Sequence, residues 1–367
     1  MKGLHILHVA GARPNFMKIA PILARCAARP GLRSTLVHTG QHYDEAMSEL
    51  FFEQLRIPRP DVNLEVGSGS HAQQTAAVLQ RFEPILLERR PDLVLVVGDV
   101  NSTLACSLAA VKLDIPVAHV EAGLRSFDRT MPEEINRIVT DAIAELLFVT
   151  EASGVENLRR EGIDPARIHL VGNVMIDTLL AHRDAAARSD AVERLGLLAG
   201  GYAVLTLHRP ANVDAPATLR AILTPLAELA LTMPVVFPVH PRTRAALGPH
   251  AALLASGHGI RPIDPLGYLD FVRLMSDARL VLTDSGGIQE ETTILGVACV
   301  TIRENTERPI TVTHGTNRLA GTTSAGIRRT IEAILAAETG ARPAPPLWDG
   351  DAAARIVATL EAWGSSR

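Results

Sequence analysis

Short apolar runs rich in β-branched residues alternate with helical segments along almost the whole chain, and few architectures accommodate this pattern. The runs fall into two series, at residues 4–10, 34–39, 93–97, 117–120, 146–149 and 168–171, and at residues 202–207, 234–239, 260–263, 279–283 and 298–302. Continuous apolar strands separated by helices are typical of parallel sheets that are covered by helices on both faces. The sequence therefore predicts an α/β protein with two doubly wound, Rossmann-like domains.

Length and composition agree with two ordinary domains. The chain has 367 residues, of which 47% are hydrophobic and 21% are charged, as in folded soluble proteins. Its net charge of −4 comes from mixed signs without a strongly basic stretch, so we expect neither nucleic acid nor a membrane as a partner. No signal peptide or membrane-spanning run is evident. The isolated Cys26, Cys106 and Cys299 predict reduced core thiols in a cytoplasmic protein.

Polar residues that follow the strands of the first series are candidates for a site, because doubly wound sheets bind ligands outside the carboxyl ends of their strands. Arg13 and Lys18 bring two cations to a helix N-terminus, which suits a diphosphate but is also common on solvated surfaces. Asp99 and Glu121 follow neighbouring strands and could form an acidic pair that divides acid and base roles. Helix capping would equally account for Asp99, and dipole stabilisation in a first helical turn would account for Glu133.

The strands of the second series lead into two histidines and a glycine-rich turn. His208 and His240 each close a strand and are each followed by an arginine within two residues, which favours anion binding over a purely structural role. A Ser-Gly-Gly turn at residues 285–287 lies between a buried strand and a helix, where backbone N–H groups and the helix dipole can hold a phosphate. Glu291, about one turn later, could accept hydrogen bonds from a ribose diol. Arg308 adds a cation after the next strand.

Taken together, these motifs closely resemble those of the non-hydrolysing UDP-N-acetylglucosamine 2-epimerases, over nearly the whole chain. The matching stretches are residues 11–14 with Lys18, and residues 98–99, 119–125, 132–137, 208–209, 238–240, 263–265, 284–291 and 306–309. The resemblance implies a GT-B-like architecture, in which two Rossmann-like domains face each other across a cleft and a terminal helix crosses back to the first domain. It implies a catalytic domain of residues 1–172 with 351–367 and a UDP-binding domain of residues 173–350.

The resemblance also implies a role for each candidate. The catalytic set it implies is Asp99, Glu121, Glu133 and His208. The UDP-sugar ligands it implies are Arg13, Lys18, His240, Phe271 beside the uracil, Ser285, Gly286, Gly287, Glu291 and Arg308. It further implies a homodimer that serves polysaccharide biosynthesis and uses no metal or other cofactor.

The implied reaction interconverts UDP-N-acetylglucosamine (UDP-GlcNAc) and UDP-N-acetylmannosamine (UDP-ManNAc). The C2 proton of a pyranose is not next to a carbonyl, so it is not acidic enough for simple abstraction. Expulsion of UDP from C1 while a base removes the C2 proton gives a 2-acetamidoglucal. Re-protonation on the opposite face and return of UDP complete the inversion. The scheme needs cations and carboxylates but no hydride cofactor, in agreement with the absence of a GxGxxG motif.

Other functions of the same site stay open at this point. A hydrolysing epimerase would release N-acetylmannosamine and UDP, a GT-B glycosyltransferase would transfer the sugar, and a sensor would only bind it. A UDP-diacetamido uronate is a further candidate substrate, because Asn15 and Ile310 replace glutamates of many members and remove negative charge from the rim of the cleft. Arg125, Arg209 or Arg242 could then pair with the sugar carboxylate.

Overall fold

The computed structural model describes residues 3–40, 54–239, 241–254, 259–337 and 343–366. The chain divides into two compact units. Unit 1 comprises Met1–Ala181 and Pro346–Arg367, and unit 2 comprises His182–Pro345. Each unit is built around one parallel β-sheet, and helices lie between most of the successive strands in the described part of the chain, which confirms the predicted α/β fold.

Unit 1 contains a seven-stranded sheet with the order β3-β2-β1-β4-β5-β6-β7. Its strands are β1 (Leu4–Ala10), β2 (Leu32–His38), β3 (Val62–Asn63), β4 (Leu93–Val97), β5 (Val117–Ala122), β6 (Leu146–Val149) and β7 (Ile168–Leu170). Its helices are α1 (Arg13–Ala27), α2 (His71–Arg89), α3 (Asn101–Lys112), α4 (Pro132–Ile143), α5 (Ala152–Arg160), a 3₁₀ turn (Pro165–Arg167), α6 (Val174–Ala187), which runs on into unit 2, and the C-terminal helix (Ala352–Ser365). The strand order reverses between β1 and β4, which is where doubly wound sheets place their ligands.

Unit 2 contains a six-stranded sheet with the order β10-β9-β8-β11-β12-β13. Its strands are β8 (Ala203–Thr206), β9 (Val235–Pro238), β10 (Ile260–Ile263), β11 (Leu280–Thr283), β12 (Ala298–Thr301) and β13 (Asn317–Leu319). Its helices are α7 (Ala191–Arg194), α8 (Pro210–Val213), α9 (Pro216–Leu229), α10 (Pro241–Leu247), a 3₁₀ turn (Gly248–His250), α11 (Ala251–Leu254), α12 (Tyr268–Ser276), α13 (Gly286–Leu295), α14 (Pro309–Thr313) and α15 (Ser324–Ala336). The strand order reverses between β8 and β11.

All eleven predicted strands are present, and two more occur that the apolar pattern did not indicate. Val62–Asn63 and Asn317–Leu319 are two and three residues long and include polar residues. Both are edge strands, paired on one side only to β2 and β12 respectively. An edge strand buries little apolar surface, so its sequence carries no continuous apolar run.

The structural division falls at 181/182 and 345/346, rather than at the expected 172/173 and 350/351. Hydrogen bonds account for this placement. The Asp177 carboxylate accepts the N–H groups of Ala352 and Ala353 at 3.1 and 2.7 Å, and the Thr178 hydroxyl donates to the carbonyl of Met17 at 2.6 Å. The first half of α6 is therefore held by α1 and by the start of the C-terminal helix, all within unit 1.

Each sheet has its own apolar core. Side chains such as Phe82, Leu86 and Val94 pack in unit 1, whereas Leu205 and Phe237 pack in unit 2. The three cysteines are buried free thiols, as the sequence predicts. Within the described part of the chain, no helix is both long and apolar enough to span a membrane.

Candidate active site

Asn15 joins the ends of β1 and β4. Its Oδ1 accepts the N–H groups of Gly11 and Ala12 at 3.1 and 2.8 Å, and its Nδ2 donates to the carbonyl of Val97 at 3.0 Å. Asn15 is only 2% exposed. The expectation that this residue sets the charge at a rim is therefore wrong, because its side chain is buried and used to shape the turn after β1.

Glu121 lies near the carboxyl end of β5 in a strained conformation. Its φ angle is +75°, and the pairing of β5 with β6 shifts register between Val120 and Ala122. A bulge of this kind re-aims a side chain, and such strain persists only where surrounding contacts impose it. The Glu121 carboxylate forms an ion pair with the Lys18 ammonium, and both side chains are buried. The turn at Gly98 leaves room for this pair, since a Cβ there would lie 3.0 Å from Lys18 Nζ.

Asp99 follows β4 and is held by helix α4. Its half-buried carboxylate pairs with Arg137 Nη1, and its carbonyl accepts a hydrogen bond from Asn136 Nδ2 at 2.9 Å. The sequence allowed for an acidic pair between Asp99 and Glu121. The structure gives each carboxylate a cation partner, Lys18 for Glu121 and Arg137 for Asp99. Glu133 lies in the first turn of α4, as predicted, and is half-buried.

Glu134 is a structural carboxylate that the sequence did not single out. It accepts the N–H groups of Ser126 and Phe127 at 3.0 and 2.9 Å and pairs with Arg137 Nη2 at 2.6 Å. Burial raises the pKa of Glu134, but these hydrogen bonds and the Arg137 charge outweigh it, so the net pKa is lowered. Glu134 therefore stays ionised and fixes both the loop before α4 and the guanidinium that reaches Asp99.

In unit 2, Asp284 ties the turn after β8 to the turn after β11. The carboxylate is fully buried and accepts the backbone N–H of His208 at 3.0 Å, that of Arg209 at 3.0 Å and Asn212 Nδ2 at 3.0 Å. His208 itself is exposed. Contacts to the backbone of His208 thus place this residue where the strand order of the second sheet reverses, between β8 and β11.

A candidate anion site lies at the N-terminus of α13. Ser285 precedes the helix without a side-chain capping bond, and Gly286 and Gly287 form its first turn. The Arg308 guanidinium lies against Gly286, where a Cβ would clash with it, and its Nε donates to Glu290 Oε1 at 2.6 Å. Backbone N–H groups, the helix dipole and a guanidinium therefore converge here, as phosphate recognition requires.

Three arginines share the buried carboxylate of Glu307. Arg303 binds it through two nitrogens at 2.8 and 3.0 Å, Arg209 lies at 3.1 Å and Arg308 at 3.5 Å. Burial lowers the pKa of Arg303, although Glu307 opposes the shift. The cluster brings more positive than negative charge to the loops after β8 and β12.

Glu291 is buried on α13 and accepts the Tyr268 hydroxyl at 3.2 Å. Burial, together with the Glu291 charge, raises the pKa of Tyr268 well above its usual range, so this tyrosine stays a donor. Phe271 is half-buried one turn further along α12. His240 lies outside the described residues, and so does the side chain of Arg13, although α1 begins at Arg13. Within the described residues, no group of three or more His, Cys, Asp or Glu side chains is placed to hold a metal ion.

The two doubly wound parallel sheets, of seven and six strands, have a GT-B-like architecture, which this chain shares with solved UDP-N-acetylglucosamine 2-epimerase structures. A family profile described as UDP-N-acetylglucosamine 2-epimerase matches residues 24–361. The UDP-N-acetylglucosamine 2-epimerase of Methanocaldococcus jannaschii is 42% identical over 359 residues, which cover 96% of this chain and 97% of that protein. This chain belongs to the UDP-N-acetylglucosamine 2-epimerase family.

Two further relatives bear on the substrate. A crystal structure of the Methanocaldococcus jannaschii enzyme in complex with UDP-GlcNAc and UDP has a TM-score of 0.91 and 41% identity, covering 98% of this chain and 100% of that one. The UDP-2,3-diacetamido-2,3-dideoxy-D-glucuronate 2-epimerase of Pseudomonas aeruginosa is 44% identical over 322 residues, 87% of this chain and 88% of that protein. The predicted family and fold are confirmed, while the two relatives are named for different sugars.

Proposed function

We propose that this protein interconverts UDP-GlcNAc and UDP-ManNAc by eliminating UDP and adding it back. The observation that carries the proposal is the pair of carboxylates at neighbouring strand ends of unit 1. Glu121 is paired with Lys18, and Asp99 is paired with Arg137. Two positioned carboxylates suit a reaction in which a proton leaves one face of C2 and returns to the other.

The proposed steps balance without a redox partner. A carboxylate takes the C2 proton, the C1–O bond breaks with its electron pair going to UDP, and a C1–C2 double bond forms. A second acidic group protonates C2 on the opposite face, and the β-phosphate oxygen of UDP bonds again to C1. We assign proton transfer to Asp99, Glu121 and Glu133, and stabilisation of the departing diphosphate to Lys18 and His208.

The contacts in unit 2 support UDP as the common part of the substrate. The diphosphate would lie at the N-terminus of α13 beside Arg308, where positive groups converge. Glu291 would accept the ribose hydroxyls, and Phe271 would contact the uracil. The relative crystallised with UDP-GlcNAc and UDP supports this assignment, at 41% identity.

We further propose that unit 1 is catalytic and that unit 2 binds UDP. We propose a homodimer as the active form, since two-fold assemblies are the commonest among soluble oligomers. We place the enzyme in the cytoplasm, acting on a free nucleotide sugar without nucleic acid or membrane as a partner. Light scattering of the purified protein tests the dimer, and a monomer at all concentrations would contradict it.

Incubation with UDP-GlcNAc alone in D2O tests the reaction. We expect NMR to show a mixture of UDP-GlcNAc and UDP-ManNAc with deuterium at C2 of the product, because the carbon–hydrogen bond breaks in every turnover. Free N-acetylmannosamine with UDP would instead identify a hydrolysing enzyme. Unchanged substrate would fit a glycosyltransferase or a sensor. An epimer that keeps its original C2 hydrogen would contradict the elimination.

A second candidate substrate is the UDP-diacetamido uronate, which the 44% identity to the Pseudomonas aeruginosa enzyme favours. Its carboxylate would need a cation. Arg125 is bound by Asp141 and Glu161, and Arg209 is bound by Glu307, whereas the side chain of Arg242 lies outside the described residues. Because two of the three arginines that the sequence offered are already paired, we expect kcat/KM to favour UDP-GlcNAc by about tenfold or more. An equal or larger kcat/KM for the uronate would identify the UDP-diacetamido uronate as the substrate instead.

A further inference from the structure

We propose that Asp141 is a positioning residue that holds the turns of Glu121 and Asp99 directly and through the buried His119. The inference rests on the proposed function, which makes both carboxylates catalytic. Asp141 lies in the last turn of α4, and both Asp141 and His119 are 0% exposed. Buried polar groups are normally satisfied by specific partners, and the partners of this pair show what it holds.

Both ring nitrogens of His119 face acceptors. Nδ1 lies 2.6 Å from Asp141 Oδ1, and Nε2 lies 2.8 Å from the carbonyl oxygen of Gly98. A carbonyl oxygen has no proton to donate, so Nε2 must carry one. The short contact at Nδ1 is a hydrogen bond shared with the Asp141 carboxyl group. His119 therefore bridges Asp141 and the carbonyl of Gly98.

The other contacts of Asp141 keep it ionised. Its Oδ2 accepts the Arg125 guanidinium at 2.7 Å and the N–H of Gly123 at 3.0 Å. Burial raises the pKa of Asp141, but the charges and hydrogen bonds of His119 and Arg125 outweigh it and lower the net pKa. Glu161 binds Arg125 through two oxygens at 2.8 and 2.6 Å, so Arg125 joins the carboxylates of Asp141 and Glu161.

These contacts hold Glu121 from both sides. His119 precedes it by two residues, Gly123 follows it by two residues, and both are bound to the same carboxylate. Between them Glu121 keeps its φ of +75°, a strained conformation that persists only where surrounding contacts impose it. Through His119 the same carboxylate also holds the carbonyl of Gly98, the residue before Asp99. One side chain thus sets the position of two proposed acid–base groups.

The test compares Asp141→Asn with wild type and with Glu161→Gln. We expect Asp141→Asn to lower kcat by about 10²-fold, the loss that a displacement of about 1 Å can cause, with KM and UDP affinity little changed. Glu161→Gln also removes a carboxylate from Arg125 but touches neither turn, so its kcat should stay close to wild type. Equal kcat values for Asp141→Asn and wild type, or equal losses in both variants, would overturn the proposal.

A spectroscopic measurement on the wild-type protein covers the case in which Asp141→Asn fails to fold. The protein has 13 histidines, and the ¹⁵N ring signals of His119 are assigned by their loss in His119→Gln. We expect Nε2 of His119 to carry a proton that exchanges slowly with solvent, because it is buried and donates to the carbonyl of Gly98, and an unprotonated or rapidly exchanging Nε2 would overturn the proposal. This readout needs no turnover, so it separates failure of the positioning role from failure of the proposed epimerisation.

Discussion

Replacement of Glu121 by glutamine is expected to lower kcat by about 10²–10⁴-fold, the usual cost of losing a positioned proton-transfer group. Glutamine keeps the shape of the side chain but can neither take the C2 proton nor return one. The amide also leaves the buried Lys18 ammonium without its carboxylate. Removal of one partner of a buried pair costs about 3–5 kcal/mol, so the variant should also unfold at lower temperature. UDP affinity should be retained, because the proposed uracil, ribose and Arg308 contacts lie in unit 2.

Asp177→Asn is the matched control for this loss of stability. Asp177 is another buried carboxylate of unit 1, and it accepts the backbone N–H groups of Ala352 and Ala353. Its replacement should lower the free energy of unfolding by about 1–3 kcal/mol, because one of the two backbone N–H groups would then face the NH2 group of asparagine, which cannot accept a hydrogen bond. Its kcat should remain that of wild type. If Glu121→Gln turns over like wild type, or if both variants lose kcat equally, Glu121 has no part in proton transfer.

Arg308→Gln is expected to weaken UDP binding by about 10–100-fold, since hydrogen bonds to charged groups contribute about 1.5–3 kcal/mol each. The guanidinium lies against Gly286 at the N-terminus of α13, where the diphosphate is proposed to bind. Arg308→Lys should recover only part of the affinity, because a lysine ammonium lacks the planar guanidinium that can bind Glu290 and a phosphate at the same time. Calorimetric titration with UDP measures both variants.

Arg303→Gln controls for the loss of one positive charge from the same cluster. Arg303 is as buried as Arg308 and shares Glu307 with it, but its own hydrogen bonds go to Glu307 and Asn305. UDP affinity should therefore fall much less in Arg303→Gln than in Arg308→Gln. Similar losses in the two variants would mean that net charge, rather than contact at the start of α13, governs binding.

Much of this architecture could be predicted because buried parallel strands have an unmistakable composition. Residues 93–97 are apolar throughout and become β4, buried on both faces. Residue types at the starts of helices also allowed correct predictions. Glu133 was expected in a first helical turn and lies in the first turn of α4, and a Ser-Gly-Gly turn predicted the start of α13. The two edge strands escaped prediction because one-sided pairing imposes no apolar run.

The partners of the charged groups could not be predicted, because they are far apart along the chain. Lys18 meets Glu121 from α1 to β5, and Asp99 meets Arg137 from the turn after β4 to α4. Sequence spacing alone suggested that Asp99 and Glu121 could pair with each other, and it did not indicate Lys18 or Arg137 as their partners. Which cation neutralises which carboxylate depends on strand order, on the bulge at Glu121 and on burial, and all three are set by long-range packing. Residue types revealed the chemistry that this chain can perform, while the folded sheet determined which of those residues hold the site in place.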